Sequence, residues 1–164
     1  MAKTLHDRRT APMRRALAMT PALLGLGLAS APAAHAGLGE GVESVQRDHI
    51  ALQGTALAVT PTGSYDLHEI TIAQDNRVRE YVSPTGTVFA VTWSGRSLPN
   101  LKAVLGQHYD EYAAASTGHR GSHHVLSVTT PGFVLSIRKL PRGFIGSAHV
   151  PALLPPGLDP RDIR

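Results

Sequence analysis

The chain has no cysteine among its 164 residues. It can therefore form no disulfide, and a lipid anchor of the bacterial type, which is attached to a cysteine, is excluded, so we expect a protein that is not a lipoprotein. Aromatic residues are scarce as well, at three Phe, four Tyr and one Trp. We expect these few rings to lie in the core rather than to form an exposed stacking platform.

Residues 37–164 also lack a net charge. The whole chain carries +4, and residues 1–36 hold five basic residues against one acidic residue, which accounts for all of it. A domain that binds nucleic acid is normally cationic. Since the remainder is neutral overall, we predict no nucleic-acid partner.

Residues 1–36 have the three parts of a cleaved export signal. An arginine pair precedes a 14-residue apolar stretch, which is shorter than the ~20 residues of a membrane-spanning helix. Small residues follow at Ala34 and Ala36, which predicts cleavage before Gly37. We therefore expect Sec-type export to the periplasm or the exterior, with no membrane anchor after cleavage. Translation from either Met1 or Met13 fits this pattern.

The remaining residues, 37–164, are enough for one hydrophobic core and predict a single domain. A short helix is expected between Gly41 and Gly54, and residues 55–64 are interpreted as a linker with at most a short strand before Pro61. The long amphipathic segment at residues 97–116 predicts the main helix, with Ser97 as its N-cap and Leu98 on its apolar stripe.

Strand patterns make up the rest of the domain. Residues 65–73 carry apolar side chains of both parities, which indicates either two buried faces or a bulge near His68. Further strands are expected at residues 78–83, 87–95, 123–130, 133–140 and 144–150. The fold class is therefore α+β, with an antiparallel sheet of about five or six strands, the main helix on one face and a short N-terminal helix. The proline-rich tail, 151–164, is expected to be extended and to lie against the domain through Leu153, Leu154 and Leu158.

The segment REYVSPTGTVFAVTWSG, residues 79–95, predicts a hairpin whose turn is Ser-Pro-Thr-Gly. Arg79 and Glu80 are neighbours on its first strand, so their side chains point to opposite faces. They are the candidate binding residues, although solvated edge charges or a cross-strand pair would give the same pattern.

A second candidate site is the histidine loop HRGSHH, which contains His119, His123 and His124. Three imidazoles at this spacing are weak candidate ligands for a transition metal, but no fourth ligand is defined. The sequence has no Gly-x-Ser-x-Gly elbow, phosphate-binding loop or dinucleotide fingerprint, so we predict no cofactor and assign no catalytic residue.

Three segments together resemble one known family: REYVSPTGTVFAVTWSG, LPNLKAVLGQHYDEY and AHVPALLPPGLDPRDIR. The family is the exported bacterial domain of unknown function numbered 2844, and the resemblance runs from about Leu38 to Arg164. The family commonly has Asp at the position of Asn100 and Pro at the position of Arg96. The resemblance implies export, but it brings no activity, ligand or catalytic residue.

These observations favour an exported, non-enzymatic accessory or binding module of the cell envelope. A partner protein bound by pairing at a sheet edge is the most natural interaction for such a fold. The alternative is a small metal-dependent or hydrolytic enzyme that uses the histidine loop.

Overall fold

The structure is a computed structural model that describes residues 37–73, 75–117 and 124–164. Within these residues, seven strands form one sheet in which all neighbours are antiparallel. The strands are β1 (Ala56–Pro61), β2 (Asp66–Ile72), β3 (Asn76–Val82), β4 (Val88–Gly95), β5 (Val125–Thr129), β6 (Val134–Leu140) and β7 (Gly143–His149). Their spatial order is β1-β2-β3-β4-β7-β6-β5. The α+β class is confirmed.

The sheet has more strands than the five or six expected because residues 56–61 of the segment interpreted mainly as a linker pair with β2. β1 is an edge strand whose side chains are mostly exposed, so its pattern lacked the apolar alternation of a buried strand. β1 and β5 form the two ends of the sheet order. They are the two candidates for the predicted pairing with a partner strand.

The predicted hairpin joins β3 to β4 through the expected turn. The backbone N–H of Gly86 donates to the carbonyl of Ser83 at 2.8 Å, and Gly86 adopts a φ of +80°, which glycine reaches without a steric penalty. β4 lies between β3 and β7. Its first six residues are all buried, so its continuous apolar run is that of a central strand covered on both faces.

β2 resolves the two alternatives that its sequence left open. It pairs with β1 and β3 without a shift in register at His68. Leu67 packs with Tyr81, and Ile70 packs in a separate cluster with the helices. The mixed parity therefore reflects two buried faces and not a bulge.

Helices cover one face of the sheet. α1 is Glu43–Ala51, within the predicted limits. The main helical segment contains 17 residues: α2 (Leu101–Leu105), a 3-10 turn (Gly106–His108) and α3 (Tyr109–Thr117). We call the face under these elements the helix face and the other the open face. Two further 3-10 turns, Pro151–Leu153 and Pro160–Asp162, follow β7, so the tail is less extended than expected.

The predicted start of the main helix is wrong by one turn. The N-cap is Asn100, whose side-chain oxygen accepts from the backbone N–H groups of Lys102 and Ala103. Ser97 instead hydrogen-bonds Asn76, the first residue of β3, and Leu98 is 37% exposed. Pro99 and Asn100 therefore belong to the connection between sheet and helix rather than to the helix itself.

The tail covers one part of the open face. A β-bulge in β4 leaves Phe89 without a partner on β3, since Ala90 pairs with Tyr81 and Val88 with Val82. Phe89 and Ala90 consequently join Tyr81 and Ile163 in a second core cluster. Leu154 and Leu158 pack against it as predicted, whereas Leu153 is 36% exposed.

Candidate functional site

A row of polar side chains crosses the part of the open face that the tail leaves uncovered. Residues directly opposite each other in an antiparallel sheet share a face. One such row runs through Ser127, Ser136, Ser147, Thr92 and Arg79, on five consecutive strands. Four hydroxyl groups, each able to donate or accept a hydrogen bond, therefore lie in one row with the guanidinium group of Arg79.

The adjacent row adds more arginine. Arg138, Ile145, Ser94 and Arg77 lie opposite one another on β6, β7, β4 and β3. Together with the last residues of the tail, the two rows border a cavity of about 390 Å³ that we call the arginine groove. Its walls are formed by Arg77, Arg79, Thr92, Trp93, Ser94, Ser136, Arg138, Ile145, Gly146, Ser147, Ile163 and Arg164.

The positive charge of the arginine groove is only partly balanced. Glu69 on β2 forms ion pairs with Arg77 at 3.2 Å and with Arg79 at 2.7 Å. Among the described residues, no carboxylate forms an ion pair with Arg138 or Arg164. Among the side chains of the described residues, four guanidinium groups thus face one carboxylate, that of Glu69, so the groove side chains are cationic in a domain that is neutral overall.

The tail closes one end of the groove through Tyr81. The hydroxyl of Tyr81 donates to the main-chain carbonyl oxygen of Arg164, and the N–H of Arg164 donates back to the same hydroxyl at 3.1 Å. Arg79 also donates to this carbonyl, at 3.2 Å. The rings of Tyr65 and Phe89 lie 5.4 and 6.1 Å from the ring of Tyr81 and hold it in place.

The two candidate binding residues are separated by the sheet, as their adjacency predicted. Arg79 lines the groove and forms a cross-strand pair with Glu69. Glu80 is fully buried on the helix face, next to the carboxyl group of Asp48 from α1, which is also fully buried. The interpretation of Glu80 as a solvated edge charge is therefore wrong, and Glu80 does not belong to the groove.

Burial dominates the chemistry of the pair Asp48–Glu80. Loss of solvation raises the pKa of Asp48 to about 6 and raises the pKa of Glu80 well above its usual range, with a further contribution from the neighbouring Asp48 charge. No backbone N–H or hydroxyl of the described residues donates to any of the four oxygens. A hydrogen bond between the two groups thus requires a proton on one of them, because carboxylates only accept.

The histidine loop lies largely outside the described residues, since these omit His119 and His123. His124 precedes β5, and its carbonyl oxygen accepts from the backbone N–H of Lys139 at 2.8 Å. Across the described ranges, no group of three or more His, Cys, Asp or Glu is placed to hold a metal ion. His108 stacks on Phe133 at 5.1 Å, and burial lowers its pKa.

The predicted signal cleavage site lies at the start of the described residues. Ala34 and Ala36 are outside them, whereas Gly37 is buried at a φ of +113°, where an added Cβ would lie 2.4 Å from the carbonyl oxygen of Ala103. Gly37, the residue after the predicted cleavage, is thus the first of the described residues, and the cleavage itself stays a prediction. In the part of the chain that the structure describes, no helix is both long and apolar enough to span a membrane.

Sequence reasoning did not find most of the groove. Arg77 and Arg79 stand two residues apart on one strand, which places them on one face and was a usable signal. Arg138 and Arg164 are more than 50 residues further along the chain, and only the strand register and the folded tail bring them to the same face.

A family model described as a protein of unknown function (DUF2844) matches residues 34–163. No curated protein and no solved structure matches the chain.

Proposed function

The chain belongs to the DUF2844 family of proteins of unknown function, and from that premise we propose that it is an exported, non-enzymatic binding module whose ligand is an anion held in the arginine groove. The observation that carries the proposal is the composition of the groove walls. They combine four guanidinium groups with hydroxyl groups, and they contain no carboxylate or imidazole side chain among the described residues.

Arginine is the side chain best suited to such a ligand. Its planar guanidinium group donates two parallel hydrogen bonds to a carboxylate or phosphate, and it stays charged at any physiological pH. Arg138 and Arg164 have no ion-pair partner among the described residues, so an anion would not have to displace a carboxylate from them. The hydroxyl groups of Ser94, Ser136 and Ser147 supply further donors.

The wall composition favours binding over catalysis. General acid–base catalysis uses a side chain whose pKa lies near the working pH, most often His, Asp or Glu. Among the described residues, the groove walls place no His, Asp or Glu side chain beside their serine hydroxyls, so the described walls offer no side chain of the usual kind to accept a serine proton. The alternative of an enzyme built on the histidine loop stays a prediction from the sequence.

The proposal is tested with two variants, one that removes a positively charged side chain of the groove and one that removes a positively charged side chain outside it. Arg138 and Lys139 are consecutive on β6, both are exposed, and their side chains point to opposite faces. We expect Arg138→Ala to weaken binding of inorganic phosphate about tenfold, because a hydrogen bond to a charged group contributes about 1.5–3 kcal/mol. Lys139→Ala removes the same charge and should leave binding unchanged.

Isothermal titration calorimetry at low ionic strength, with glycerol as the neutral probe, measures these affinities. Equal weakening by the two variants would mean that only net charge matters, and unchanged binding in Arg138→Ala would place the anion elsewhere. Either result contradicts the arginine groove as the binding site.

A further inference from the structure

We infer that the anion is amphiphilic, with its charged group in the arginine groove and an apolar chain on the adjoining surface formed by Leu140 and Ile145. This inference rests on the proposed function, because it assigns a substrate class to the same site.

The groove continues into a second cavity at the end of the sheet. Ser94 and Ile145 line both cavities. The second has a volume of about 570 Å³, and its apolar walls come from the turn between β6 and β7 and from the residues beside it: Leu140, Pro141, Phe144 and Ile145. We call it the apolar shelf. The two cavities therefore adjoin each other at Ser94 and Ile145.

The shelf exposes apolar surface that the rest of the fold does not cover. Leu140 is 39% exposed and Ile145 is 38% exposed. Ile145 lies directly opposite both Arg138 and Ser94 in the sheet. Apolar surface that is continuous with a cluster of positive charge is complementary to a molecule with an anionic head and an apolar chain.

The orientation of the ligand follows from the charges at the two ends. The outer rim of the shelf has Arg96 and Arg142, but it also has Asp75. Arg96 and Arg142 form no ion pair among the described residues either, but the groove has four arginines and several hydroxyl groups, whereas the shelf has two arginines, one carboxylate and the hydroxyl of Ser94. The anionic group is therefore assigned to the groove and the apolar chain of the ligand to the shelf. Each methylene group buried there should tighten binding by roughly twofold, which is less than full burial would give, because the shelf is open.

The test compares acetate, octanoate and octyl glucoside by isothermal titration calorimetry on the purified protein. Octanoate should bind at least tenfold more tightly than acetate, and octyl glucoside, which has the chain without the charge, should bind at least tenfold more weakly than octanoate. Leu140→Ser should remove most of the difference between octanoate and acetate. Leu153→Ser is the matched control, since Leu153 is 36% exposed and lies outside both cavities.

The outcomes separate this inference from the proposed function. Equal affinities for acetate and octanoate, both weakened by Arg138→Ala, would overturn the amphiphilic ligand and leave the anion site standing. Octyl glucoside binding as tightly as octanoate would overturn both. Binding to vesicles of phosphatidylglycerol without any binding of octanoate would overturn a free amphiphile as the ligand.

Discussion

At the scale of single residues, the buried carboxyl pair Asp48–Glu80 has the most direct consequence for stability. Burial raises the pKa values of both carboxyl groups above those of the unfolded chain. The folded protein therefore binds more protons than the unfolded chain from about pH 4 to about pH 6 through Asp48, and also at higher pH through Glu80. The stability contributed by the pair is therefore present at low pH and is lost as the pH rises through the folded pKa values. His68 lies opposite Glu80, but burial lowers its pKa, so it does not provide a compensating charge at neutral pH.

Asp48→Asn should therefore stabilise the protein at pH 8 by about 2–3 kcal/mol, since each unit of pKa shift corresponds to about 1.4 kcal/mol. The amide removes one of the two buried charges and adds an N–H donor for Glu80. Denaturant unfolding at pH 5 and pH 8 measures the effect, which should be about half as large at pH 5, because the unfolded carboxyl group is already ionised there while the folded one still holds its proton. Glu43→Gln, an exposed change on the same helix, is the control. A variant that is less stable than the parent at pH 8 would show that Asp48 has a stabilising partner.

At the scale of elements, the main helix is broken on the helix face, and the tail docks on the open face beside the groove. Gly106 has a φ of +52°, which an α-helix cannot contain, and this divides the helical segment into α2 and α3. The sequence pattern predicted one continuous helix over residues 97–116 and did not predict this break. The tail, in turn, is held to the groove by Tyr81 and by the cluster around Phe89.

Tyr81→Phe should loosen the tail without unfolding the sheet. The change keeps the buried ring and removes the hydroxyl that both donates to and accepts from Arg164, at a cost of about 1–2 kcal/mol for two hydrogen bonds. Hydrogen exchange of the amides of Ile163 and Arg164 should become roughly ten times faster. Tyr65→Phe is the matched control, because the Tyr65 hydroxyl forms no side-chain hydrogen bond with the described residues. Equal exchange rates in the two variants would mean that apolar packing alone holds the tail.

At the scale of the whole molecule, charge is unevenly distributed both along the sequence and between the two faces of the folded sheet. The net charge of +4 belongs to residues 1–36, and the remainder is neutral. Within that neutral remainder, folding gathers four arginines on the open face while it buries two carboxyl groups on the helix face. A local cationic site is therefore compatible with the predicted absence of a nucleic-acid partner, because the positive charge is confined to one groove.

The proposed export makes a prediction about the mature chain. Protein recovered from the cell envelope or the culture medium should begin at Gly37, because residues 34–36 have the small-residue pattern of a signal-peptidase site. Intact-mass spectrometry of untagged protein measures this directly. Replacement of Ala36 by a large residue such as Tyr should block cleavage, whereas Thr4→Tyr, far from the site, should not. A full-length mass for the natural protein, or its recovery only from the cytosol, would contradict export.

Sequence patterns were sufficient for features that depend on neighbours in the chain. The hairpin between β3 and β4, the glycine of its turn, α1 and the opposite orientation of Arg79 and Glu80 all follow from backbone preferences and side-chain alternation over a few residues. The N-cap at Asn100 was missed because Ser97 has an equally suitable side chain. Only the contact of Ser97 with Asn76 on another element decided between them.

The sequence alone determined the α+β class, the charge of the first 36 residues and the absence of disulfides. The tertiary structure decided that Glu80 is buried beside Asp48, that β4 and β7 are neighbours, and that Arg77, Arg79, Arg138 and Arg164 share one groove. The physical reason is that periodicity reports which face of its own element a side chain occupies. Which distant element covers or adjoins that face depends on how the whole sheet is ordered, and that is fixed by long-range packing of the core.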